Sequence, residues 1–135
     1  MRFFFDRSVG KFVPNALRAQ GYELEIHDEA FDPNASIDDE TWIRYASERD
    51  LVIVSRDRNI RRRPAERRAF VENGARMLLL GGKATRGEML RVFLLALPRI
   101  ERAVGTLRAP WIQFIDASGR LHARYPEPSK RRRSR

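Results

Sequence analysis

Short apolar runs that alternate with helix-like segments restrict the fold of this chain more than any other feature. The runs RFFF, LVIVS and ARMLLL, at residues 2–5, 51–55 and 75–80, have the length and composition of strands that are buried on both faces of a sheet. Strands that alternate with helices pair in parallel through right-handed crossovers. The sequence therefore predicts an α/β fold with a central, mostly parallel sheet and helices on both faces.

The other segments complete this pattern. Helical spacing of apolar residues predicts four helices, at residues 12–20, 38–49, 65–73 and 86–104. Three more strands are predicted, at residues 22–26, 111–116 and 120–125, and the last two form a C-terminal β-hairpin. Residues 28–39 are expected to form a loop, and Pro98 is expected to kink or shorten the fourth predicted helix.

The apolar faces of the first and fourth helices can be assigned, in addition to the stripe of Trp42, Ile43, Tyr45 and Ala46 on the second helix. The face of the first helix comprises Phe12, Val13, Ala16 and Leu17. The face of the fourth comprises Met89, Leu90, Phe93, Leu94 and Leu97. The face of the fourth helix is apolar enough to be either core or the contact surface of a homodimer.

The length of the chain, 135 residues, suits one domain with one sizeable core. We assign residues 1–125 to that domain and residues 126–135 to a basic, disordered tail. No apolar run approaches the thickness of a bilayer, and Asp6 would interrupt the apolar stretch of any signal peptide. We therefore expect a cytoplasmic protein that does not bind membranes.

The net charge of +9 favours an anionic partner, and nucleic acid is the leading candidate. The last eight residues carry five of the basic side chains and no acid, so the rest of the chain still carries +4. Seven arginines and two acids lie between Arg56 and Arg68. This segment is either a basic face that contacts a nucleic acid or a solvated helix surface with local ion pairs.

Aspartates follow the first and third predicted strands. Asp6 ends the first strand, and Asp57 lies two residues beyond Ser55, where the third strand ends. Ligands of such sheets bind outside the carboxyl ends of the strands. Asp39, at the start of the helix that leads into the third strand, is expected at the same edge. Three converging carboxylates would repel one another unless a cation such as Mg²⁺ or Mn²⁺ neutralises them.

Each aspartate also has a purely structural interpretation. Aspartates at strand ends often form turns. Either Asp38 or Asp39 is expected to cap the helix, so Asp39 is a suitable helix cap on its own. The absence of cysteine excludes thiolate metal sites, and two histidines far apart in sequence offer zinc few ligands. Any metal must therefore be held mainly by oxygen.

The segments RFFFD, DETWIRYA and LVIVSRDRNI resemble the PIN-like domains of bacterial toxin-antitoxin pairs, and the resemblance covers roughly residues 2–116. In that family an aspartate ends the first strand, a second acid begins the helix before the third strand, and that strand ends in Thr/Ser-x-Asp. Asp6, Asp39 and Asp57 match these acids, and Ser55 matches the hydroxyl position. Glu40 is the neighbouring alternative to Asp39.

Two departures from the family pattern stand beside these matches. Asn59 occupies the place where many relatives carry a further acid, and its amide oxygen can still ligate Mg²⁺. Arg7 and Ser8 replace a more usual Glu-Asn pair after the first aspartate.

The resemblance implies a Mg²⁺- or Mn²⁺-dependent endoribonuclease that acts as a growth-inhibiting toxin and is neutralised by a cognate antitoxin protein. Asp6, Asp39 and Asp57 would hold the metal and carry catalysis, with Ser55, Asn59 and Glu40 in support. The arginines expected to contact RNA are Arg56, Arg58, Arg61, Arg62 and Arg63.

Two other functions were weighed against this one. A phosphoacceptor signalling domain is disfavoured, because paired acids do not follow the first strand and no lysine lies between Lys83 and Lys130. A non-catalytic module that binds RNA or an antitoxin through a degenerate PIN-like site stays open, and Asn59 is the feature that favours it.

Overall fold

The computed structural model describes residues 1–81 and 84–127 and contains six strands and five helices in that part of the chain. The strands are β1 Phe3–Phe5, β2 Leu24–Ile26, β3 Val52–Ser55, β4 Arg76–Leu80, β5 Trp111–Ile115 and β6 Leu121–Tyr125. The helices are α1 Phe12–Ala19, α2 His27–Ala30, α3 Asp39–Glu48, α4 Pro64–Glu72 and α5 Arg86–Thr106. Short 3₁₀ turns lie at Arg7–Val9 and Ile60–Arg62.

The six strands form one sheet in the order β2-β1-β3-β4-β5-β6. The first five are parallel, and β6 runs antiparallel to β5 as the second strand of a C-terminal hairpin. The predicted single α/β domain with a mostly parallel sheet and a final hairpin is therefore confirmed. β2 lies on one side of β1 in the sheet, and β3 lies on the other side. The direction in which the chain adds strands therefore reverses between β1 and β3.

Helices cover both faces of the sheet, and β1 shows how the sequence separates the two cores. Phe3 and Phe5 lie under α5, with their ring centroids 5.2 and 5.8 Å from that of Phe93. Phe4 points to the opposite face, where it stacks on Trp42 of α3 at 5.8 Å. Because successive side chains of a strand point to opposite faces, a run of three phenylalanines is buried only between two helical layers.

Of the two effects predicted for Pro98, a kink or a shortened helix, the structure contradicts the shortening, since α5 continues without a break from Arg86 to Thr106. Pro98 is exposed, whereas Phe93 and Ile100 on the inner side are fully buried. The backbone hydrogen bond that proline cannot donate is therefore lost on the solvent side. Packing of the inner side against the sheet keeps the helix continuous.

Two smaller expectations near the N-terminus are also wrong. Phe12 was assigned to the apolar face of α1 but is 40% exposed, with the guanidinium of Arg86 lying 4.8 Å from its ring centroid. Residues 28–39 were expected to be loop throughout. Instead His27 begins the single-turn helix α2, which the backbone N–H of Phe31 closes by donating to the His27 carbonyl at 2.9 Å.

The apolar face of α5 belongs to the core. Met89, Phe93 and Leu97 are buried there, and Leu90 and Leu94 pack partly buried against the same cluster. The homodimer stays a prediction. No helix in the described segments is both long and apolar enough to cross a membrane. The predicted tail falls mainly on residues 128–135, outside the described residues.

Candidate active site

The reversal of strand order brings the ends of β1 and β3 together at the carboxyl edge of the sheet. The backbone N–H of Asp6 donates to the Val54 carbonyl at 3.1 Å, so Asp6 leaves β1 directly beside β3. Ser55 is the last residue of β3, and Asp57 follows two residues later. In open α/β sheets such a switch point is where ligands bind.

Asp6 is the one acidic side chain in the described part of the chain that is buried, with 7% of its surface exposed. Its carboxylate accepts hydrogen bonds from the Ser8 backbone N–H at 2.7 Å and from the Ser8 hydroxyl. Burial raises the pKa of Asp6, and the nearby charge of Asp39 acts in the same direction, while hydrogen bonds from Ser55 and Ser8 lower it. The site thus holds a carboxylate that a cation would stabilise.

Two serines connect the loops that carry Asp6 and Asp57. The Ser8 hydroxyl lies 3.3 Å from that of Ser55 and accepts the backbone N–H of Arg56 at 2.8 Å. The Ser55 hydroxyl accepts the backbone N–H of Asp57 at 3.0 Å. Ser55 therefore contacts both aspartate loops, as its position before the third acid suggested.

Two adjacent aspartates at the N-terminus of α3, Asp38 and Asp39, have different roles. Asp38 is the N-cap, and its carboxylate accepts both the backbone N–H and the hydroxyl of Thr41, at 2.8 and 2.6 Å. Asp39 is therefore not needed as the cap. Its carboxylate accepts the Trp42 indole N–H at 2.9 Å and remains 30% exposed.

Arg63 binds both Asp39, at the start of α3, and Asp57, which follows β3. Its Nη1 lies 2.9 Å from Oδ2 of Asp57 and 3.2 Å from Oδ2 of Asp39, and 3.9 Å from a carboxylate oxygen of Glu66. The hydrogen bond and charge of Asp57 raise the pKa of Arg63 above its usual value. Asp39 and Asp57 thus already share one cation, a guanidinium.

Asp6, Asp39 and Asp57 line a single cleft of about 220 Å³, which we call the aspartate cleft. Within residues 1–81 and 84–127, no three acidic or histidine side chains are close enough together to form a ready-made metal cluster. The donor set still fits a hard divalent cation, because it consists of carboxylate oxygens. The sequence prediction that these three residues share an edge therefore agrees with their positions.

The supporting residues Glu40 and Asn59 line other clefts than the aspartate cleft. Glu40 lines a groove between α3 and α4 together with Arg44 and Arg68. Asn59 donates its backbone N–H to Asp57 at 3.0 Å and lines a neighbouring cleft rather than the aspartate cleft. Neither residue lines the aspartate cleft, whereas Asp39 does.

The five arginines assigned to RNA contact have different surroundings. Arg63 is bound by acids, as described above. Arg58 and Arg62 line the neighbouring cleft, which contains no carboxylate among its described lining residues. Arg56 is partly buried, with its backbone N–H on Ser8, and the side chain of Arg61 lies outside the described part of the structure.

Sequence reasoning missed three contributors to this site. Ser8 stood only as a departure from the family, although an aspartate side chain commonly accepts the backbone N–H two residues further on, which here is that of Ser8. Arg63 was assigned to RNA rather than to the acids. His27 was given no role, yet it lines the aspartate cleft, buried, with Nδ1 3.2 Å from Asp28.

Comparisons with known proteins identify the family of this chain. The family model described as "PIN like domain" matches residues 1–82, which contain Asp6, Asp39 and Asp57. A protein of Mycobacterium tuberculosis named "Putative ribonuclease VapC45" is 30% identical to this chain over 128 residues, covering 93% of this chain and 80% of the relative. No solved structure matches significantly. The chain belongs to the PIN-like domain family.

Proposed function

We propose that this protein is a Mg²⁺- or Mn²⁺-dependent endoribonuclease and the toxin of a toxin-antitoxin pair. The observation that carries the proposal is the convergence of Asp6, Asp39 and Asp57 on one cleft. Two of these carboxylates, Asp39 and Asp57, already bind a positively charged group, the Arg63 guanidinium. The similarity to a relative named as a ribonuclease supports the same reaction class.

Asp6, Asp39 and Asp57 would hold the metal. A divalent cation bound there would lower the pKa of water and stabilise charge on a phosphate. Burial of Asp6 favours this use, because desolvation disfavours its free anionic form and a cation would offset that cost. Arg63 is 44% exposed and can leave Asp39 and Asp57 without exposing a buried charge.

The chain's own groups would position the carboxylates and the substrate. Ser8 and Ser55 orient Asp6 and tie it to the Asp57 loop, which limits the motion of the carboxylates. Once released from Asp39 and Asp57, the Arg63 guanidinium could bind the cleaved phosphate, since its planar donor fork matches phosphate oxygens. The arginines of residues 56–63 would contact the RNA backbone.

The remaining parts of the proposal concern the setting. We propose that the protein acts in the cytoplasm, that it does not bind membranes, and that a cognate antitoxin protein neutralises it. An antitoxin could act at the aspartate cleft, which is open enough for a partner side chain to reach Asp39 and Asp57, 30% and 28% exposed.

A non-catalytic module that binds RNA or an antitoxin is the second candidate. The specific observation in its favour is that Asn59 does not line the aspartate cleft, so it supplies no further ligand there. In that case the Arg63 ion pairs would be a permanent structural feature.

The test is cleavage of a mixed RNA pool by purified protein with Mn²⁺ or Mg²⁺, compared with EDTA. We expect cutting that requires metal and falls by about 100-fold or more in Asp6→Asn and Asp57→Asn, since each removes a charge that holds the cation. Asp32→Asn, which removes an exposed carboxylate from a loop, is the control and should cut normally. Cutting that survives EDTA and both substitutions would refute the metal mechanism, and RNA binding without any cutting would favour the second candidate.

A further inference from the structure

A second cleft, of about 300 Å³, lies beside the aspartate cleft. We call it the arginine cleft, and its lining residues are Arg58, Asn59, Arg62, Leu79, Phe114 and Arg124. Three guanidinium groups and one amide contribute its polar character, and no acidic side chain is among the described residues that line it. The chemistry of this lining selects an anion.

The ring of Phe114 organises two of the arginines. The guanidinium carbon of Arg124 lies 4.8 Å from the ring centroid, and that of Arg58 lies 5.3 Å away. Both distances are within the range of a cation–π contact. Such contacts hold the long side chains in place against the ring, and Nη1 of Arg124 also donates to the Ala123 carbonyl at 3.5 Å.

The arginine cleft adjoins the candidate active site through consecutive residues. Asp57 lines the aspartate cleft and Arg58 lines the arginine cleft. Likewise, Arg63 binds Asp39 and Asp57, whereas its neighbour Arg62 lines the arginine cleft. One short loop therefore carries both a carboxylate of the aspartate cleft and guanidinium groups of the arginine cleft.

We propose that the arginine cleft binds a phosphate and ribose of the RNA strand next to the phosphodiester held at the aspartates. This inference rests on the proposed function, because it takes RNA to be the substrate. A volume of about 300 Å³ is at the lower end of the range for ligand pockets and suits one nucleotide. Arg124 and Phe114, both from the C-terminal hairpin, thereby join the RNA-binding surface.

An acidic peptide is the other anion that this lining could accept. RNA is favoured because the cleft combines several arginines with an aromatic ring and continues into a site suited to phosphodiester chemistry. Binding of an acidic peptide would not require the arginine cleft to lie next to Asp57.

The experiment measures binding of a short fluorescein-labelled single-stranded RNA by anisotropy in EDTA, across a series of salt concentrations. EDTA prevents metal-dependent cutting, so affinity is read independently of catalysis. Arg62→Gln and Arg124→Gln each remove one guanidinium from the cleft. Arg99→Gln is the matched control, since Arg99 is exposed on α5, which covers the other face of the sheet.

We expect each cleft variant to weaken RNA binding severalfold and to reduce the slope of log affinity against log salt by about 0.7, the value for one lost phosphate contact on a single strand. Arg99→Gln should bind as the wild type does. Circular dichroism of all variants checks that the fold is intact. Wild-type affinity and slope in both cleft variants would overturn the inference, as would an acidic peptide that binds through Arg62 and Arg124 while RNA does not.

The two proposals fail separately in this design. If the wild type binds RNA through Arg62 and Arg124 but cuts nothing with Mn²⁺, the nuclease proposal fails and the binding site stands. If the wild type cuts RNA and both variants bind and cut normally, the nuclease proposal stands and the arginine cleft is not an RNA site.

Discussion

At the scale of single residues, hydrogen-bond donors and one arginine offset the negative charge of the three carboxylates in the aspartate cleft. Asp6 is buried and has a raised pKa, and it is kept in place by hydroxyl and backbone donors from Ser8 and Ser55. Asp39 and Asp57 are more exposed and share the Arg63 guanidinium. Arg63 would therefore compete with the proposed divalent cation for two of the three carboxylates.

Replacing Arg63 should consequently strengthen metal binding. We expect Arg63→Gln to bind Mn²⁺ more tightly by up to about fivefold, because the displaced ion pairs are partly exposed and each contributes little. Isothermal titration calorimetry with Mn²⁺ measures the affinity without requiring activity. Arg62→Gln removes the same charge from the next residue, outside the acid cluster, and should change the affinity less. Unchanged or weaker Mn²⁺ binding in Arg63→Gln would contradict the competition.

At the scale of elements, the turn of the β5–β6 hairpin is organised by one carboxylate. Oδ1 of Asp116 accepts the backbone N–H groups of Ser118 and Arg120 at 2.9 and 3.0 Å, and Oδ2 lies 2.7 Å from Nε2 of His122. The hydrogen bond with His122, followed by that of the Ser118 hydroxyl, holds the pKa of Asp116 well below its usual range. The turn bears on the proposed RNA site because β6 carries Arg124.

The lowered pKa predicts how this turn responds to acid. A carboxyl group whose pKa is lower in the folded state adds stability above its unfolded value of about 3.8, and that stability is lost as the pH falls further. Asp116→Asn should therefore melt a few degrees below the wild type at pH 7, and the difference should shrink as the pH is lowered past that value.

Thermal melting at a series of pH values measures this difference. Asp32→Asn is the control, because Asp32 forms a similar turn by accepting the backbone N–H of Asn34 at 2.9 Å. Its melting temperature should follow that of the wild type at every pH. A deficit in Asp116→Asn that persists undiminished in acid would refute the role of the charged form.

At the scale of the whole molecule, the aspartate cleft links strand ends and a helix start that are distant in sequence. Asp6 follows β1, Asp39 begins α3 and Asp57 follows β3, so a cation held by all three would bind the folded chain and not the unfolded one. Such binding must raise the stability of the entire domain.

Addition of Mn²⁺ should thus raise the melting temperature of the metal-free protein. A concentration 100-fold above the dissociation constant corresponds to about 2.7 kcal/mol of added stability. The shift should be lost or greatly reduced in Asp57→Asn and retained in Asp32→Asn, as followed by circular dichroism. An equal shift in the wild type and Asp57→Asn would show that the metal binds elsewhere.

The sequence alone determined the architecture and the edge of the sheet at which the site lies. Buried strands and amphipathic helices are encoded locally, by runs such as LVIVS and by apolar residues at helical spacing, because burial acts on each element in the same way wherever it packs. The residues that end a strand are also local information, which is why Asp6, Ser55 and Asp57 could be placed at one edge.

Only the tertiary structure decided how the side chains at that edge are paired. Asp38 rather than Asp39 caps α3, Glu40 lines another groove, and Arg63 binds both Asp39 and Asp57. These pairings depend on which side chains come into contact between different helices and strands. The spacing of residues along the sequence does not encode those contacts.

The same reason explains what the sequence analysis missed at longer range. Arg124 and Phe114 join Arg58 in one cleft although they lie more than fifty residues further along the chain, because β5 pairs with β4 and β6 with β5. The continuous helix through Pro98 likewise depends on packing against the sheet, which outweighs the local preference of proline. Local patterns thus determined the elements, and contacts between elements determined the site.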